Sequence, residues 1–449
     1  MREPSDISAR YAWYAVGVLC LVTAVNYACR YVVSPLLAPI QAEFGLSDAA
    51  LGSLGTAFVV VYALTAVPFG RLSDVWVRKY IIAIGMAACA MATMASATSR
   101  RFGFLLVTRG LVGIGEAMCL PSAIAIISDY VGSGRRARGT AVVAAGMLMG
   151  GALGIGGGGA LREAFDWRST FWIVGAPGIG VAVLVAALRE PAKGWTEDVQ
   201  GAERAPTPPM RTLLRVPTFW ILCAGITLLT AATGGLLHWM PIFLEKARGL
   251  AAARGVVAGA SATMAGCLVG AVSSGWVADR LADRMRGAHV LLIGLGLLGG
   301  APAMLLFVTS NEPGVYMTCL AIAGFFLTWP LPPMGALLYA VVEPKLRATA
   351  VALFTFIIHV AGDAASPLLI GRLSDIYRLR GVAEPENLRL ALLSLPACCV
   401  LGGVVCLAAL RTVGRDVDAM QQRLAEQTRR VAEEQRQRLH GDGERIERH

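Results

Sequence analysis

The sequence predicts an all-α membrane protein whose twelve transmembrane helices form two pseudo-symmetric six-helix bundles. Three observations predict it. The 449 residues are 56% hydrophobic and only 16% charged, where a soluble domain carries roughly 25% charged residues. Twelve runs reach the length of about 20 apolar residues that a spanning helix needs. Two independent landmarks also repeat at one spacing. The first run opens after Tyr11 and the seventh after Pro217, 206 residues on. The second ends in Gly70-Arg71-Leu72-Ser73-Asp74 and the eighth in Gly275-Trp276-Val277-Ala278-Asp279, 205 residues on. Internal repeats of this kind build many secondary transporters, with the site near the midplane between the halves.

The elements follow in order. The polar start MREPSDISAR precedes an apolar run too long for a signal-peptide core and without a clear cleavage site, so the first helix, 12–37, is retained. Within it, TAVNYACRYVV (Thr23 to Val33) sets Arg30 among apolar residues, one turn after Asn26. The second helix, 49–70, ends at GRLSD, and the third, 80–98, is a plain apolar run. The fourth, 102–127, holds Arg109 and Glu116. These are seven residues apart, two turns on one face, about 10 Å in depth. The fifth, 139–161, places Gly146, Gly150, Gly154 and Gly158 at spacing four, a stripe that lets helix backbones approach closely. The sixth, 168–188, leads into Arg189 to Pro217, a charged and proline-rich linker predicted to be cytosolic.

The seventh helix, 218–244, carries His238 and Trp239 before Pro241, where a kink is permitted. The eighth is 255–278. The ninth, 288–309, matches GxGxxG at Gly294, Gly296 and Gly299, but it does so inside a span with no preceding strand, so it is not read as a nucleotide site. The tenth is 315–341. The eleventh, 347–371, has His359 and Asp363 at i, i+4 on one face, either a proton-sensitive pair or a packing pair. It runs into a second literal GRLSD, Gly371 to Asp375, 301 residues after the first, out of phase with the repeat and on the predicted outer side. The twelfth is 388–411. The charged tail spaces Val413, Val417, Met420, Leu424 and Val431 as an amphipathic cytosolic helix, either solvated or engaged at a membrane surface or in self-association. The expected division is 1–190 and 217–411 for the two bundles, 191–216 for the linker and 412–449 for the tail.

Basic residues near span ends set orientation. With both termini inside, cytosolic segments ahead of the tail hold 18 Lys and Arg, the tail 9 and the outer loops 11. The expected location is the cell membrane, with cytoplasmic termini. The net charge of +10 is spread between apolar segments and over the tail, so no nucleic-acid partner is expected. The ten cysteines lie almost all in apolar runs, with no CxxC pair or metal spacing, and read as packing residues. No cofactor or metal is expected, and the chain is expected to act as a monomer.

Ionisable residues within spans are costly and are functional candidates by default. Arg30 and Arg109 each lie about seven residues from the outer end of their helices, hence at similar depth, with Glu116 deeper. The expected cluster is Asn26, Tyr27, Arg30, Arg109 and Glu116, lining the cavity of the first half. A guanidinium fork matches phosphate or carboxylate, so Arg30 is expected to hold an anionic head group, with Glu116 as its counter-charge in the empty site. An anion that captures Arg30 removes the cation that keeps Glu116 ionised, which is a route to proton coupling. The other reading is a static ion pair fixing helices one and four. His238, Trp239, His359 and Asp363 are the candidates from the second half. Phe58, Tyr62 and Trp239 either wall a lipid chain or simply pack.

GRLSDVWVRKY (Gly70 to Tyr80) resembles the signature loop of the major facilitator superfamily, with Arg78-Lys79 as its basic pair and Val77 in place of its later glycine. GWVADRLADRMRG is a degenerate second copy. RGLVGIGEA (Arg109 to Ala117), SDYVGSGRRARG (Ser128 to Gly139), HVAGDAASPLLIGRLSD (His359 to Asp375) and the NYxCRY…EFGLSDAALGSLGTAF stretch are similar to the spinster-like branch. That branch usually has aspartate where Cys29 stands. Anion:cation symporters share much of the first-helix pattern and the Gly-Glu-Ala of helix four. The resemblance covers Tyr11 to Arg411 and implies alternating-access transport of a lysophospholipid- or sphingoid-phosphate-like molecule, often proton-coupled. An organic acid is the rival substrate, and a membrane-embedded lipid enzyme or sensor the rival class. The resemblance also implies that Gly70, Asp74, Arg78 and Lys79, with Gly275 and Asp279 of the second copy, latch the outward-open state; the other reading is charge that only sets topology. With a thiol at position 29, either Glu116 carries the proton alone, or transport is uncoupled, or another ion is used.

Overall fold

The computed structural model describes residues 8–131, 136–191, 211–250, 255–282, 284–285, 287–343 and 346–426. Val431 and most of the linker lie outside these, as does the side chain of Asp74. Among the described residues twelve helices are long and apolar enough to cross a membrane: α1 (Ala9–Phe44), α2 (Asp48–Ser73), α3 (Arg78–Ala97), α4 (Phe102–Ile127), α5 (Arg138–Ala164), α6 (Trp167–Ala186), α7 (Pro217–Arg248), α8 (Val257–Ala282), α9 (Ala288–Thr309), α10 (Pro313–Val341), α11 (Thr349–Leu379) and α12 (Glu386–Arg411). Each overlaps its predicted run. The largest differences fall at α1 and α11, which reach Phe44 and Leu379 where 37 and 371 were expected. Those extra turns are amphipathic. Ile40 and Ser374 are buried while Arg372 faces outward, so an apolar window stops before the helix does.

Local chemistry sets the ends. The side chains of Ser8, Ser47 and Asp166 accept backbone N–H groups at the starts of α1, α2 and α6, satisfying donors that a helix start leaves unpaired. Gly45 and Gly249 take left-handed φ of 61° and 63° to end α1 and α7, a conformation that costs any residue with a Cβ. Pro217 and Pro313 open their helices without losing a bond. The α-helix of α7 continues through Pro241 to Arg248.

The glycine stripe works as expected. A Cβ on Gly146, Gly150 or Gly154 would lie 2.4, 2.1 or 2.8 Å from the carbonyl oxygens of Cys20, Ala24 and Ala28, and Gly158 sits against Pro35 and Val32. α5 is thus seated backbone to backbone on α1. In the second half Gly266 and Gly270 of α8 meet Ala321 and Phe325 of α10 in the same way. Gly294 and Gly299 pack on Leu407 and Phe326, so the GxGxxG stretch is a helix contact. α5 and α11 each contain one π-helical segment, Leu153–Gly157 and His359–Asp363. The segments lie 206 residues apart, the spacing of the two halves.

Helices α1 to α6 pack among themselves, as do α7 to α12. The halves touch through α2 with α11, α1 with α7 and α5 with α8. These contacts lie toward the end opposite the termini, here the far end. Arg162 of α5 makes a two-pronged pair with Glu245 of α7 at 2.7 and 2.8 Å, and Lys246 reaches Gln41 at 2.7 Å and Glu384 at 3.0 Å. Gly52 abuts Pro367, and Gly151 and Gly156 meet Met264 and Val257. Toward the terminal end Leu64 and Val67 of α2 and Leu268, Val272 and Trp276 of α8 are exposed. Among the described residues the halves are tied at mid-span and at the far end and parted at the other. A further helix over residues 413–426, α13, folds back under the second half. Val413 and Met420 are buried, Asp416 accepts the N–H of Thr218, and Arg423 lies 3.4 Å from Glu343.

Candidate functional site

Arg30 lies in the last turn of the first α-helical stretch of α1, Ala9–Tyr31, before a 3-10 turn at Ser34–Leu36 that contains Pro35. The carbonyl end of a helix carries partial negative charge, so a cation is favoured there, and the proline removes a donor that would continue the helix. The break in α1 therefore makes room, electrically, for a charge at mid-span.

The guanidinium bridges the two halves. Nη1 donates to Oε1 of Glu116 at 2.9 Å, and Nη2 donates to Oδ2 of Asp363 at 2.8 Å. Its flat faces lie near Phe58, Tyr31 and Tyr27, with centroids at 4.8, 5.1 and 5.6 Å, contacts that favour a desolvated cation. The side chains of Arg30, Glu116 and Asp363 are 9, 1 and 13% exposed. Asp363 also lies 3.4 Å from His359 Nδ1, and Tyr62 stands edge-on to that ring. Gly234 makes the space, since a Cβ there would be 2.2 Å from Asp363 Oδ1. A cavity of about 40 Å³ opens beside the guanidinium, lined by Arg30, Tyr31, Phe58, Gly234, His238 and Asp363. That is room for a water molecule.

The expected cluster assembles in part. Arg30 meets Glu116 and Tyr27, and Asp363 joins them from the second half, a partner that sequence reasoning placed only beside His359. Arg109 does not line the cavity. It is 1% exposed, donates to the Cys29 carbonyl at 3.1 Å and Ser96 Oγ at 3.4 Å, and lies over Phe171. Its face of α4 is covered by α1 at that depth. Asn26 is buried with neither amide atom hydrogen-bonded, and Oε2 of Glu116 likewise has no partner. Trp239 is fully buried and donates to the Pro367 carbonyl, while His238 pairs with the Leu51 carbonyl across the halves at 3.2 Å. These two belong to the far-end closure, and Trp239 is not a cavity wall. Phe58 and Tyr62 stack beneath the charges. Tyr31 was missed, though its place beside Arg30 in the sequence was a signal.

Among the gating candidates, Gly70 has no atom within 4 Å of where a Cβ would stand, and Gly275 has only Pro332, at 3.9 Å. Arg78 pairs with Asp129 of its own half, and its N–H donates to Glu190 at 2.7 Å. Lys79 donates to the Leu188 carbonyl at 2.8 Å. Asp279 is exposed. Sequence reasoning missed the far-end group of Asp48, Ser374, Asp375 and Arg378, for which the second GRLSD was the signal.

Comparison with known proteins places the geometry. The family model described as Major Facilitator Superfamily matches residues 19–362 and 277–437. The chain is 31% identical to protein spinster homolog 3 of Danio rerio over 428 residues, covering 90% of this chain and 85% of that one. It is 31% identical to the sphingosine-1-phosphate transporter SPNS2 of Mus musculus over 423 residues, covering 87% and 76%. A crystal structure of a bacterial homolog of the human lysosomal transporter spinster, inward-facing and unoccupied, superposes with a TM-score of 0.81 at 26% identity, covering 91% of this chain and 99% of that one.

Proposed function

This chain belongs to the spinster-like branch of the major facilitator superfamily, and from that premise we propose that it moves an amphipathic anion by alternating access, with Arg30 as the head-group contact. It is a multi-pass membrane transporter. The observation that carries the proposal is the bridging of two carboxylates, one from each half, by a single mid-span guanidinium.

The reasoning is electrostatic. A phosphate or carboxylate head group competes for both prongs of the Arg30 fork. If it wins, Glu116 and Asp363 lose their counter-charge in a buried site, where an unpaired charge is costly. Each must then take a proton or move to water. Protonation of Glu116, at the oxygen that has no partner now, couples substrate to protons. Release of Asp363 cuts a tie between the halves and frees them to move. Cys29 sits beside this cluster on α1 but makes no ion pair with Arg30, so Glu116 is the group assigned to the proton. Sphingosine 1-phosphate, the substrate in the name of the murine relative, has the required head group and chain, and the exposed apolar stripe of α8 offers that chain a surface. The proposal keeps the division at residues 190, 216 and 411, puts the termini in the cytoplasm and the chain in the cell membrane as a monomer, and so makes the parted end the cytosolic one.

Proteoliposome uptake tests it, with sphingosine 1-phosphate, a lysophospholipid and a small dicarboxylic acid each offered with and without a pH gradient. Lipid uptake should depend on the gradient and fall by roughly tenfold or more in Arg30→Ala. Full-rate uptake by Arg30→Ala ends the head-group assignment, and uptake of the dicarboxylic acid alone favours the organic-acid reading.

A further inference from the structure

The pentapeptide GRLSD occurs at 70–74 and again at 371–375, and its 301-residue spacing is not that of the duplication. The packing accounts for it differently. α2 and α11 lie against each other across the halves and run in opposite directions, so the end of each stands beside the start of the other.

At the far end the α11 copy is engaged. Asp375 accepts the backbone N–H groups of Asp48 at 3.1 Å and Ala49 at 2.8 Å, the first turn of α2. Ser374 Oγ donates to Asp48 at 2.7 Å. Arg378 donates to Asp48 at 2.8 Å and to Asp375 at 3.0 Å. Asn387 donates to Ser374 at 3.0 Å, and Asp48 is 2% exposed. A Cβ on Gly371 would lie 2.3 Å from the Asp48 carbonyl oxygen. The first residue of the pentapeptide admits the neighbouring backbone, the fourth bonds the Asp48 carboxylate, and the fifth grips the backbone N–H groups. At the terminal end the same first residue, Gly70, has open space around it, and Arg78 is turned into its own half.

We infer that the two copies are reciprocal latches on one antiparallel helix pair. The α11 copy holds the far end shut in this conformation. The α2 copy closes onto the first turn of the helix that begins at Arg347 when the far end opens. The superfamily signature implies a latch at the α2 copy alone; the α11 copy adds a far-end latch and the exchange between the two. Each grips the exposed N–H groups of the other helix's start, which a carboxylate satisfies well. Each needs its own end shut, so the two exclude one another.

Hydrogen–deuterium exchange of the full chain in lipid nanodiscs reads both helix starts at once and is independent of any transport assay. In Asp375→Asn the amides of residues 48–51 should exchange about tenfold faster or more, the loss expected for one charge-assisted bond, while those of residues 347–350 slow. Asp74→Asn should leave 48–51 protected and 347–350 fast. Gly371→Ala should reproduce the Asp375→Asn pattern without touching a charge, and stands in if that variant fails to fold. Faster exchange at 48–51 with no slowing at 347–350 overturns the reciprocity. No change at 48–51 in either α11 variant overturns the latch itself.

Discussion

Arg30 places one prong of its fork on each half of the protein, so its removal strands two buried acids. Arg30→Ala should cost about 3–5 kcal/mol in thermal or denaturant unfolding near neutral pH, with the loss shrinking in acid as the stranded carboxylates take protons. Arg30→Lys keeps the charge but loses the fork; it should fold and yet move substrate roughly tenfold more slowly. Glu116→Gln should retain substrate binding and lose the response of uptake to a pH gradient. Unchanged pH dependence in that variant removes Glu116 from coupling. Arg109→Lys should lower melting temperature and leave the KM for substrate alone, because that side chain holds α1, α3 and α6 together without reaching the cavity. Much of this site was legible from helical spacing, which put Arg30, Arg109 and Glu116 at compatible depths. Spacing cannot say which neighbouring helix covers a face, so Arg109 was placed in the cavity wrongly. Nor can it supply Asp363, whose contact with Arg30 spans 333 residues of chain.

At the scale of elements, close packing and capping make separable predictions. Gly150→Ala would force a Cβ to within 2.1 Å of the Ala24 carbonyl oxygen and should destabilise by about 1–3 kcal/mol, the usual cost of overpacking. Gly70→Ala meets nothing in this conformation and should change stability by less than about 0.5 kcal/mol. Asp166→Ala should cost about 1 kcal/mol through loss of the α6 cap. The Ser169 side chain and N–H hold the Asp166 carboxyl below its usual range. Its contribution is therefore present above the ordinary carboxylate pKa and is lost only as pH falls through the lower folded value. Melting curves of both proteins at pH 7 and pH 3 check the sign, since their difference should narrow at the lower pH. The twelve spans and the glycine stripe were readable because apolar length and fourfold spacing are local properties. The two π-helical segments were not, since nothing in their composition separates them from ordinary helix.

For the whole molecule, the present arrangement depends on ties at one end. Arg162→Glu should open the far end and slow transport severalfold, and adding Glu245→Arg should restore at least half of the lost rate. Failure of the double variant to recover would mean the pair is incidental. The duplication was visible as a 206-residue offset, and with it the fold. The conformation was not, because the proposed alternation uses the same helices and changes only which cross-half pairs are made.

The widened turn in α5 spans Leu153–Gly157 and the one in α11 spans His359–Asp363. The first lies just past the middle of its helix toward the far end, and the second holds Asp363 at mid-span. Five residues in such a turn sweep roughly the angle that four sweep in an ordinary helix. Deleting one residue from either segment should therefore leave an unbroken helix with Arg162 still facing Glu245 and Asp375 still at the first turn of α2. Each bundle thus carries one surplus residue whose loss the far-end contacts should tolerate, and whose only effect is on the backbone beside the Arg30 site.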